Sequence, residues 1–362
     1  MLTAIVSDLH LGTSSGADIA MRPEVHERML EALAEADRVV VLGDLLELRE
    51  AASRSILGLA KPFLRALGEA CAGRPVVIVP GNHDYELIAP ALDAARLSSG
   101  DGLGIETVFD SDAGALPREV AALIAGAEVS FAYPGIRLRE DVYATHGHYL
   151  DVHLTVPRME CVIASAVGRI SGIGREDFAS PDDYESALAP IYALAHSLVQ
   201  RRDVGSVTRG ASLSRSIYGR SGGANLSGLA IGRVAIPAAV GAINSLGLGP
   251  FRSDISPVEL RRAGLRAMGE VQRRLDIDAE HVIFGHTHRA GPLDGDAEGW
   301  TLPGGTRLHN TGSWLHEEVF LGDLRDPRNP YFPGWVTYVA DDGPPERRNV
   351  LEDYALARTP SI

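Results

Sequence analysis

The chain has 362 residues, of which 45% are hydrophobic and 23% charged, a balance that excludes intrinsically disordered and collagen-like proteins. Its formal net charge of −14 argues against general nucleic-acid binding, and we expect no nucleic-acid partner. Two cysteines, Cys71 and Cys161, cannot make a disulfide framework. No basic, apolar leader precedes the first carboxylate, Asp8, so the sequence predicts a cytoplasmic protein.

Short runs rich in Val and Ile predict buried strands at residues 4–6, 38–42, 76–79, 142–144 and 281–284. Helical periodicity separates the first three runs, at residues 23–33 and 53–70. This alternation of strands and helices over residues 1–80 is typical of a parallel sheet. We therefore expect an α/β fold, with further strands at 306–310 and 334–340.

Residues 151–276 differ from the sequence on either side. They contain helix-like pieces at 159–170, 184–200 and 257–275, and an apolar, glycine-rich stretch at 226–251. We predict a helical insertion at 151–276 in a discontinuous sheet domain made of residues 1–150 and 277–345, with a C-terminal tail at 346–362. Residues 201–275 also hold twelve arginines and four acidic residues, which indicates either solvated helix faces or a surface for an anionic substrate or a membrane.

Each of the five predicted strands rich in Val and Ile is followed by residue types that bind metals. Loops at the carboxyl ends of sheet strands are where open α/β proteins bind substrates. Carboxylate, amide and imidazole donors together suit manganese, which we expect, or iron or zinc. Two divalent ions can be held if one carboxylate bridges them, and Asp44 is the candidate for the bridge. The candidate metal ligands are Asp8, His10, Asp44, Asn82, His146, His286 and His288.

These motifs resemble those of the calcineurin-like metallophosphoesterases: D-L-H at 8–10, G-D at 43–44, G-N-H-D at 81–84, H-G at 146–147 and G-H-T-H at 285–288. The resemblance implies an αββα sandwich around two metal ions, and hydrolysis of a phosphoester or phosphoanhydride bond by water that the ions activate. It implies that His83 faces the substrate and that Asp84 orients His83. The implied ligands of the first ion are Asp8, His10, Asp44 and His288; those of the second are Asp44, Asn82, His146 and His286.

Within that family, D-L-H-L at 8–11 and G-D-L-L-E at 43–47 resemble the UDP-2,3-diacylglucosamine pyrophosphatases, whose helical insertion caps acyl chains. This resemblance implies a lipid-linked or amphipathic phosphate substrate. His83 stands where those enzymes generally have arginine, which leaves open a phosphodiesterase or phosphatase acting on a soluble nucleotide or small diester. A non-catalytic scaffold on the same fold would need missing ligands, and none is missing.

Three further polar residues are candidates for a place near the site. His148 follows the H-G motif and Asn310 follows a predicted strand, so both are candidate substrate-binding residues. Glu47 either supports Asp44 or opens a helix, where an acidic residue is favoured. Peripheral contact of the insertion with a membrane, through arginine and apolar surface, is a further alternative.

Overall fold

The computed structural model describes residues 1–98, 102–156, 161–163, 165–167, 172, 174, 176–200, 236–254, 256–317, 321 and 326–354. The chain divides into two compact units. The first comprises Met1–Gly147, His196–Gln200 and Asp278–Ile362, and the second comprises His148–Ala195 and Arg201–Ile277. Three regions lie outside the described residues: half of the helix predicted at 159–170, the first ten residues of the apolar stretch at 226–251 and the arginines of 201–235.

All strands of the described residues belong to the first unit. They are β1 (Thr3–Val6), β2 (Arg38–Leu42), β3 (Pro75–Val79), β4 (Thr107–Phe109), β5 (Glu128–Tyr133), β6 (Gly135–Arg139), β7 (Val142–Thr145), β8 (His281–Phe284), β9 (Arg307–Asn310), β10 (Trp335–Val339) and β11 (Glu346–Asn349). The larger sheet has the order β11-β10-β1-β2-β3-β5-β4, and the smaller has the order β6-β7-β8-β9. The pairs β1–β2, β2–β3, β3–β5, β7–β8 and β8–β9 are parallel.

The two sheets share one hydrophobic core, which confirms the expected α/β fold and explains why the strands lack a polar face. Residues from both sheets meet in a single buried cluster. The cluster consists of Ile5, Val40, Leu42, Val77, Val79, Ala132, Ile136, Leu138, Val142, Ala144, Ile283 and Val339. Strands covered on both faces read as continuous apolar runs, which is how β1, β2, β3, β7 and β8 were recognisable in the sequence.

The α-helices that the structure describes are α1 (Pro23–Ala34), α2 (Ser53–Ala70), α3 (Ala89–Ser98), α4 (Ala115–Leu123), α5 (Pro181–Gln200), α6 (Ile236–Ser245) and α7 (Pro257–Arg274). Short 3-10 helices lie at Ile19–Met21, Tyr85–Leu87, Ser111–Ala113 and His148–Val152. Pro23 occupies the first turn of α1, where a missing N–H is tolerated. The buried face of α2 includes Ile56, Phe63, Leu64 and Leu67, at the three- and four-residue spacing of an amphipathic helix.

The second unit contains a small aromatic core and paired charges. The Tyr149 hydroxyl donates to the buried carboxylate of Glu185 at 2.6 Å, and the Tyr149 ring stacks on Tyr184. Glu259 accepts from Arg266 at 2.6 Å and from Arg252 at 3.3 Å, and Glu270 likewise pairs with Arg273 and Arg274. Much of the positive charge in the described part of this unit is thus neutralised by partners. No helix among the described residues combines the length and the apolarity that crossing a membrane requires.

Four strands lie where none was predicted, and one of them corrects the predicted C-terminal tail. Strand β11 pairs antiparallel with β10, from Trp335 opposite Asn349 to Tyr338 opposite Glu346. Residues 346–349 are therefore part of the larger sheet, and the tail was predicted to start too early. The sequence of β11, E-R-R-N, carries no apolar residue that could have signalled a strand.

The shared core predicts a large stability effect at its centre. Ile283 is fully buried between the sheets, so Ile283→Ala should lower the free energy of unfolding by about 2–5 kcal/mol, because it removes apolar contacts and leaves a cavity. Val108→Ala, on the exposed edge strand β4, should change it by less than about 0.5 kcal/mol. Urea denaturation measures both. A cost below about 1 kcal/mol for Ile283→Ala would contradict the two-sheet core.

Candidate metal centre

Five of the candidate ligands have an unusual backbone conformation. Their φ angles are positive: Asp8 53°, His10 47°, Asp44 51°, His286 65° and His288 58°. Among the other non-glycine residues that the structure describes, only Asp276 shares this conformation. Positive φ is uncommon for residues with a Cβ and is concentrated at functional sites, where the surrounding structure holds it in place.

Two glycines allow the ligand loops to approach one another closely. Gly43 has a φ of +87°, and a Cβ on it would lie 2.0 Å from His146 Nδ1. A Cβ on Gly81 would lie 2.2 Å from Asp44 Oδ1. Both distances are far below any real contact, so a side chain at either position would displace Asp44 or His146.

The first group of ligands comes from the loops after β1 and β8. One ligand atom each from Asp8, His10 and His288 lies within 4.8 Å of the other two. His10 Nε2 is 3.2 Å from His288 Nε2, and His288 Nε2 is 3.4 Å from Asp8 Oδ1. The packing of the two sheets thus brings together residues nearly 280 positions apart in the sequence.

The second group comes from the loops after β2, β3, β7 and β8. Asp44, His146 and His286 place ligand atoms within 4.8 Å of one another. His146 Nε2 is 3.3 Å from Asp44 Oδ2 and 3.2 Å from Asn82 Oδ1. The structure therefore places the seven candidate ligands in two adjoining groups.

Asp44 belongs to the second group and lies beside the first. Its Oδ2 atom lies 3.5 Å from His10 Nε2 in the first group and 3.3 Å from His146 Nε2 in the second. Its Oδ1 atom accepts a hydrogen bond from the His83 backbone N–H at 2.9 Å. One oxygen of the carboxylate is held by the protein, and the other faces both groups of ligands.

The hydrogen bonds of the histidines show that this donor set fits metal ions. His10 Nδ1 lies 2.9 Å from Glu47 Oε2, and His146 Nδ1 lies 3.1 Å from the Leu42 carbonyl oxygen, so each Nδ1 is the donating nitrogen. In the neutral ring, each Nε2 then presents a lone pair to Asp44 Oδ2, which is also an acceptor. Acceptors that face acceptors in a buried site repel one another unless protons or metal ions lie between them.

Protons compete with metal ions for these nitrogens. Burial lowers the pKa of His10, but the hydrogen bond to Glu47 and the charges of Asp44, Glu47 and Asp8 outweigh burial and raise it to about 10. Burial likewise lowers the pKa of His146, but Asp44 raises it to about 9. The carboxylates thus attract positive charge to the site, and a metal ion that binds at neutral pH displaces protons.

Glu47 orients two histidines. This differs from both roles that the sequence left open, which were support of Asp44 and the opening of a helix. Its side chain is buried; Oε2 accepts from His10 Nδ1 at 2.9 Å and Oε1 from His83 Nδ1 at 2.7 Å. Burial raises the pKa of Glu47, but the two histidines hold it well below its usual range. One carboxylate therefore fixes the tautomer of a candidate ligand and of the candidate substrate-facing histidine.

The prediction that Asp84 orients His83 is wrong. Asp84 Oδ2 accepts from the backbone N–H groups of Leu45 and Leu46 at 2.7 and 3.3 Å, and Oδ1 accepts from Gly81 N–H at 2.7 Å. Asp84 thus ties the loop after β2 to the loop after β3. Burial and the nearby charge of Asp44 raise the pKa of Asp84 to about 6.

The two candidate substrate-binding residues have different surroundings. Both amide hydrogens of Asn310 have partners, Gly285 O at 2.9 Å and Thr287 Oγ1 at 3.0 Å, so the structure does not support substrate binding by this amide. His148 is buried in the second unit, with the rings of Tyr149 and Tyr192 edge-on to it. A role of His148 towards the substrate stays a prediction.

The glycine contacts yield a direct test of the site. Gly81→Ala should lower the metal content of the purified protein by at least one ion per chain, because the new methyl group collides with Asp44. Gly58→Ala is the matched control: Gly58 lies in α2, and a Cβ there meets nothing within 4 Å. Elemental analysis after dialysis measures both variants. Equal metal content in Gly81→Ala and Gly58→Ala would show that Asp44 is not a ligand.

Comparison with known proteins identifies the family. No curated protein matches the chain. Among solved structures, a cold-active protein-tyrosine phosphatase of a psychrophilic Shewanella species is 13% identical over 96% of this chain and 80% of its own, with a TM-score of 0.29, too low to indicate a shared fold. Residues 1–185, which carry five of the seven ligands, match the family model for calcineurin-like phosphoesterases. The chain therefore belongs to the calcineurin-like phosphoesterase family.

Proposed function

We propose that this protein hydrolyses a phosphoester or phosphoanhydride bond at a dinuclear metal centre formed by the two groups around Asp44. The observation that carries the proposal is the position of Asp44 Oδ2, 3.5 and 3.3 Å from a histidine nitrogen of each group. When bound, two divalent ions lower the pKa of water towards neutrality and offset the negative charge of the phosphoryl group. The carboxylate, amide and imidazole donors favour manganese, with iron or zinc as alternatives.

His83 is the residue of this site that is best placed to contact the substrate. Its side chain is 27% exposed, whereas Asp8, Asp44 and His146 are buried. Because Nδ1 bonds to Glu47, the tautomer is fixed and Nε2 is left to interact with a phosphoryl oxygen. A protonated His83 can neutralise charge on the phosphoryl group or give its proton to the leaving oxygen, a contribution of about 10²–10⁴ in rate.

We also propose a lipid-linked or otherwise amphipathic phosphate as the substrate. The sequence from 236 to 251 carries no charge, and α6 with the turn after it leaves apolar side chains in water: Leu246 is 65% exposed and Ile243 is partly exposed. In this proposal these side chains contact the acyl chains of the substrate or a membrane surface. The sequence resemblance at 8–11 and 43–47 supports the same substrate class.

A soluble nucleotide or small diester is the second candidate substrate. It is favoured by His83, which stands where the lipid pyrophosphatases generally have arginine. Arginine is a fixed cation with a planar fork for phosphate, whereas histidine offers one nitrogen and a transferable proton. This difference suits a reaction in which the leaving oxygen needs a proton.

The substrate class can be tested with two compounds. Manganese-loaded protein is assayed on UDP-2,3-diacylglucosamine in detergent micelles and on bis(4-nitrophenyl) phosphate with and without detergent. We expect a higher kcat/KM on the lipid, and we expect Leu246→Asp to lower the activity on the lipid alone. A higher kcat/KM on the diester, unchanged in Leu246→Asp, would favour the soluble substrate. If metal-loaded protein hydrolyses neither compound, the proposed reaction is contradicted for both substrate classes.

The role of His83 predicts a separation of metal binding from turnover. His83→Ala should keep two metal ions per chain and lower kcat by about 10²–10⁴-fold, because it removes a proton donor and not a ligand. His26→Ala, in the first unit but away from the ligand loops, is the control and should leave both unchanged. Metal analysis and steady-state kinetics measure the two properties. Loss of both ions in His83→Ala would contradict the role.

Glu47→Gln should affect both properties, in contrast to His83→Ala. Glutamine offers one acceptor oxygen where the carboxylate has two, so either His10 or His83 loses its orienting partner. Loss of such a supporting contact typically costs about 10–100-fold in metal affinity or activity. We expect weaker manganese binding in a calorimetric titration together with a lower kcat. Wild-type values for both would show that the Glu47 contacts are not needed.

A further inference from the structure

The end of β9 borders the metal centre without contributing a ligand. Asn310, the last residue of this strand, and Thr311, which follows it, are each 1% exposed. They lie between two ligand loops: the loop after β1, which carries Asp8, and the loop after β8, which carries His286 and His288. Because these loops come from different sheets, some contact must fix their relative positions.

Asn310 holds the histidine loop. Its Nδ2 group donates to Gly285 O at 2.9 Å and to Thr287 Oγ1 at 3.0 Å, on either side of His286. Its Oδ1 atom accepts from Gly312 N–H at 3.0 Å. All the hydrogen-bonding groups of this buried amide are therefore used, and two of its contacts fix the segment in which His286 has a positive φ.

Thr311 reaches the opposite loop through a chain of two hydroxyl groups. Ser7 Oγ is 2.5 Å from Asp8 Oδ2, a carboxylate oxygen, so the Ser7 hydroxyl donates to it. Thr311 Oγ1 is 2.5 Å from Ser7 Oγ. Since the single Ser7 hydrogen is directed at Asp8, the Thr311 hydroxyl is the donor to Ser7. The Phe284 carbonyl oxygen, 3.2 Å from Thr311 Oγ1, is a second acceptor for the Thr311 hydroxyl. Ser7 follows β1 of the larger sheet and Thr311 follows β9 of the smaller, so this chain joins the two sheets.

The hydroxyl chain also determines which oxygen of Asp8 remains for a metal ion. Oδ2 receives the Ser7 hydrogen at 2.5 Å, whereas Oδ1 lies 3.4 Å from His288 Nε2 among the ligand atoms of the first group. The His286 backbone N–H approaches both oxygens, at 3.1 and 3.2 Å. Asp8 is thus fixed from both loops, with Oδ1 free to face the first ion.

We propose that Asn310 and Thr311 are positioning residues for the metal centre: they hold Asp8, of the first group, and the loop that carries His286 and His288 at the separation that the two ions require. This inference rests on the proposed function, because both require that metal ions bind at this site. Partners that orient metal ligands in this way typically change metal affinity about 10–100-fold when they are removed.

The test compares three variants of the full-length chain. Thr311→Val removes the hydroxyl at nearly constant size, and Asn310→Ala removes the amide. Thr306→Val is the matched control, because Thr306 Oγ1 is also buried and also donates to a backbone carbonyl, that of Ala279, at 3.0 Å. Thr306 directly precedes β9, at the end of the strand away from Asn310. Calorimetric titration of metal-stripped protein with manganese measures affinity, and thermal unfolding measures stability.

We expect Thr311→Val and Asn310→Ala each to weaken one of the two manganese sites by about 10–100-fold and to regain most of the wild-type kcat at saturating manganese. Thr306→Val should lower the unfolding temperature by a similar amount to Thr311→Val but change affinity less than about twofold. Equal affinity in Thr306→Val and Thr311→Val, whether both are wild-type or both are weakened, would overturn the proposal. Wild-type protein that binds no manganese, iron or zinc would overturn the proposed function as well, whereas two bound ions with unaffected variants would overturn this inference alone.

Discussion

Everything at the site depends on the convergence of lone pairs around one carboxylate oxygen. Asp44 Oδ2 faces the Nε2 atoms of His10 and His146, while the Nδ1 atoms of both rings are directed at other oxygens. Such an arrangement is unfavourable in a buried setting unless positive charge is present. Metal binding and folding are therefore coupled here: the fold brings the acceptors together, and cations stabilise the loops that carry them.

Residues that bind no metal determine how well the ligands meet. Glu47 orients His10 and His83, Asp84 ties together the loops after β2 and β3, and Asn310 holds the loop after β8. These three side chains are buried and use most of their hydrogen-bonding capacity on other parts of the site. Such supporting contacts let five loops, three of which hold candidate ligands with positive φ, act as one rigid site.

The clustering of the candidate ligands could be predicted because each loop places its chemistry within a few residues of an apolar run. The partners of those ligands could not, because they depend on which loops become neighbours. Asp84 was expected to orient His83, its neighbour in sequence, but the contact comes from Glu47, 36 residues away. Asn310 was expected to bind substrate because it lies at the end of a strand, but the sequence does not reveal that its amide is already hydrogen-bonded within the protein. Strand β11 was missed because its pairing with β10, and not its composition, makes it a strand.

The central claim is that Asp44 bridges two metal ions, and anomalous diffraction tests it most directly. Crystals of manganese-loaded protein, measured at the manganese absorption edge, should show two peaks about 3.5–4 Å apart, one on each side of Asp44 Oδ2. The first should lie among Asp8, His10 and His288, and the second among Asn82, His146 and His286. A single peak, or two peaks that do not share Asp44, would contradict the account.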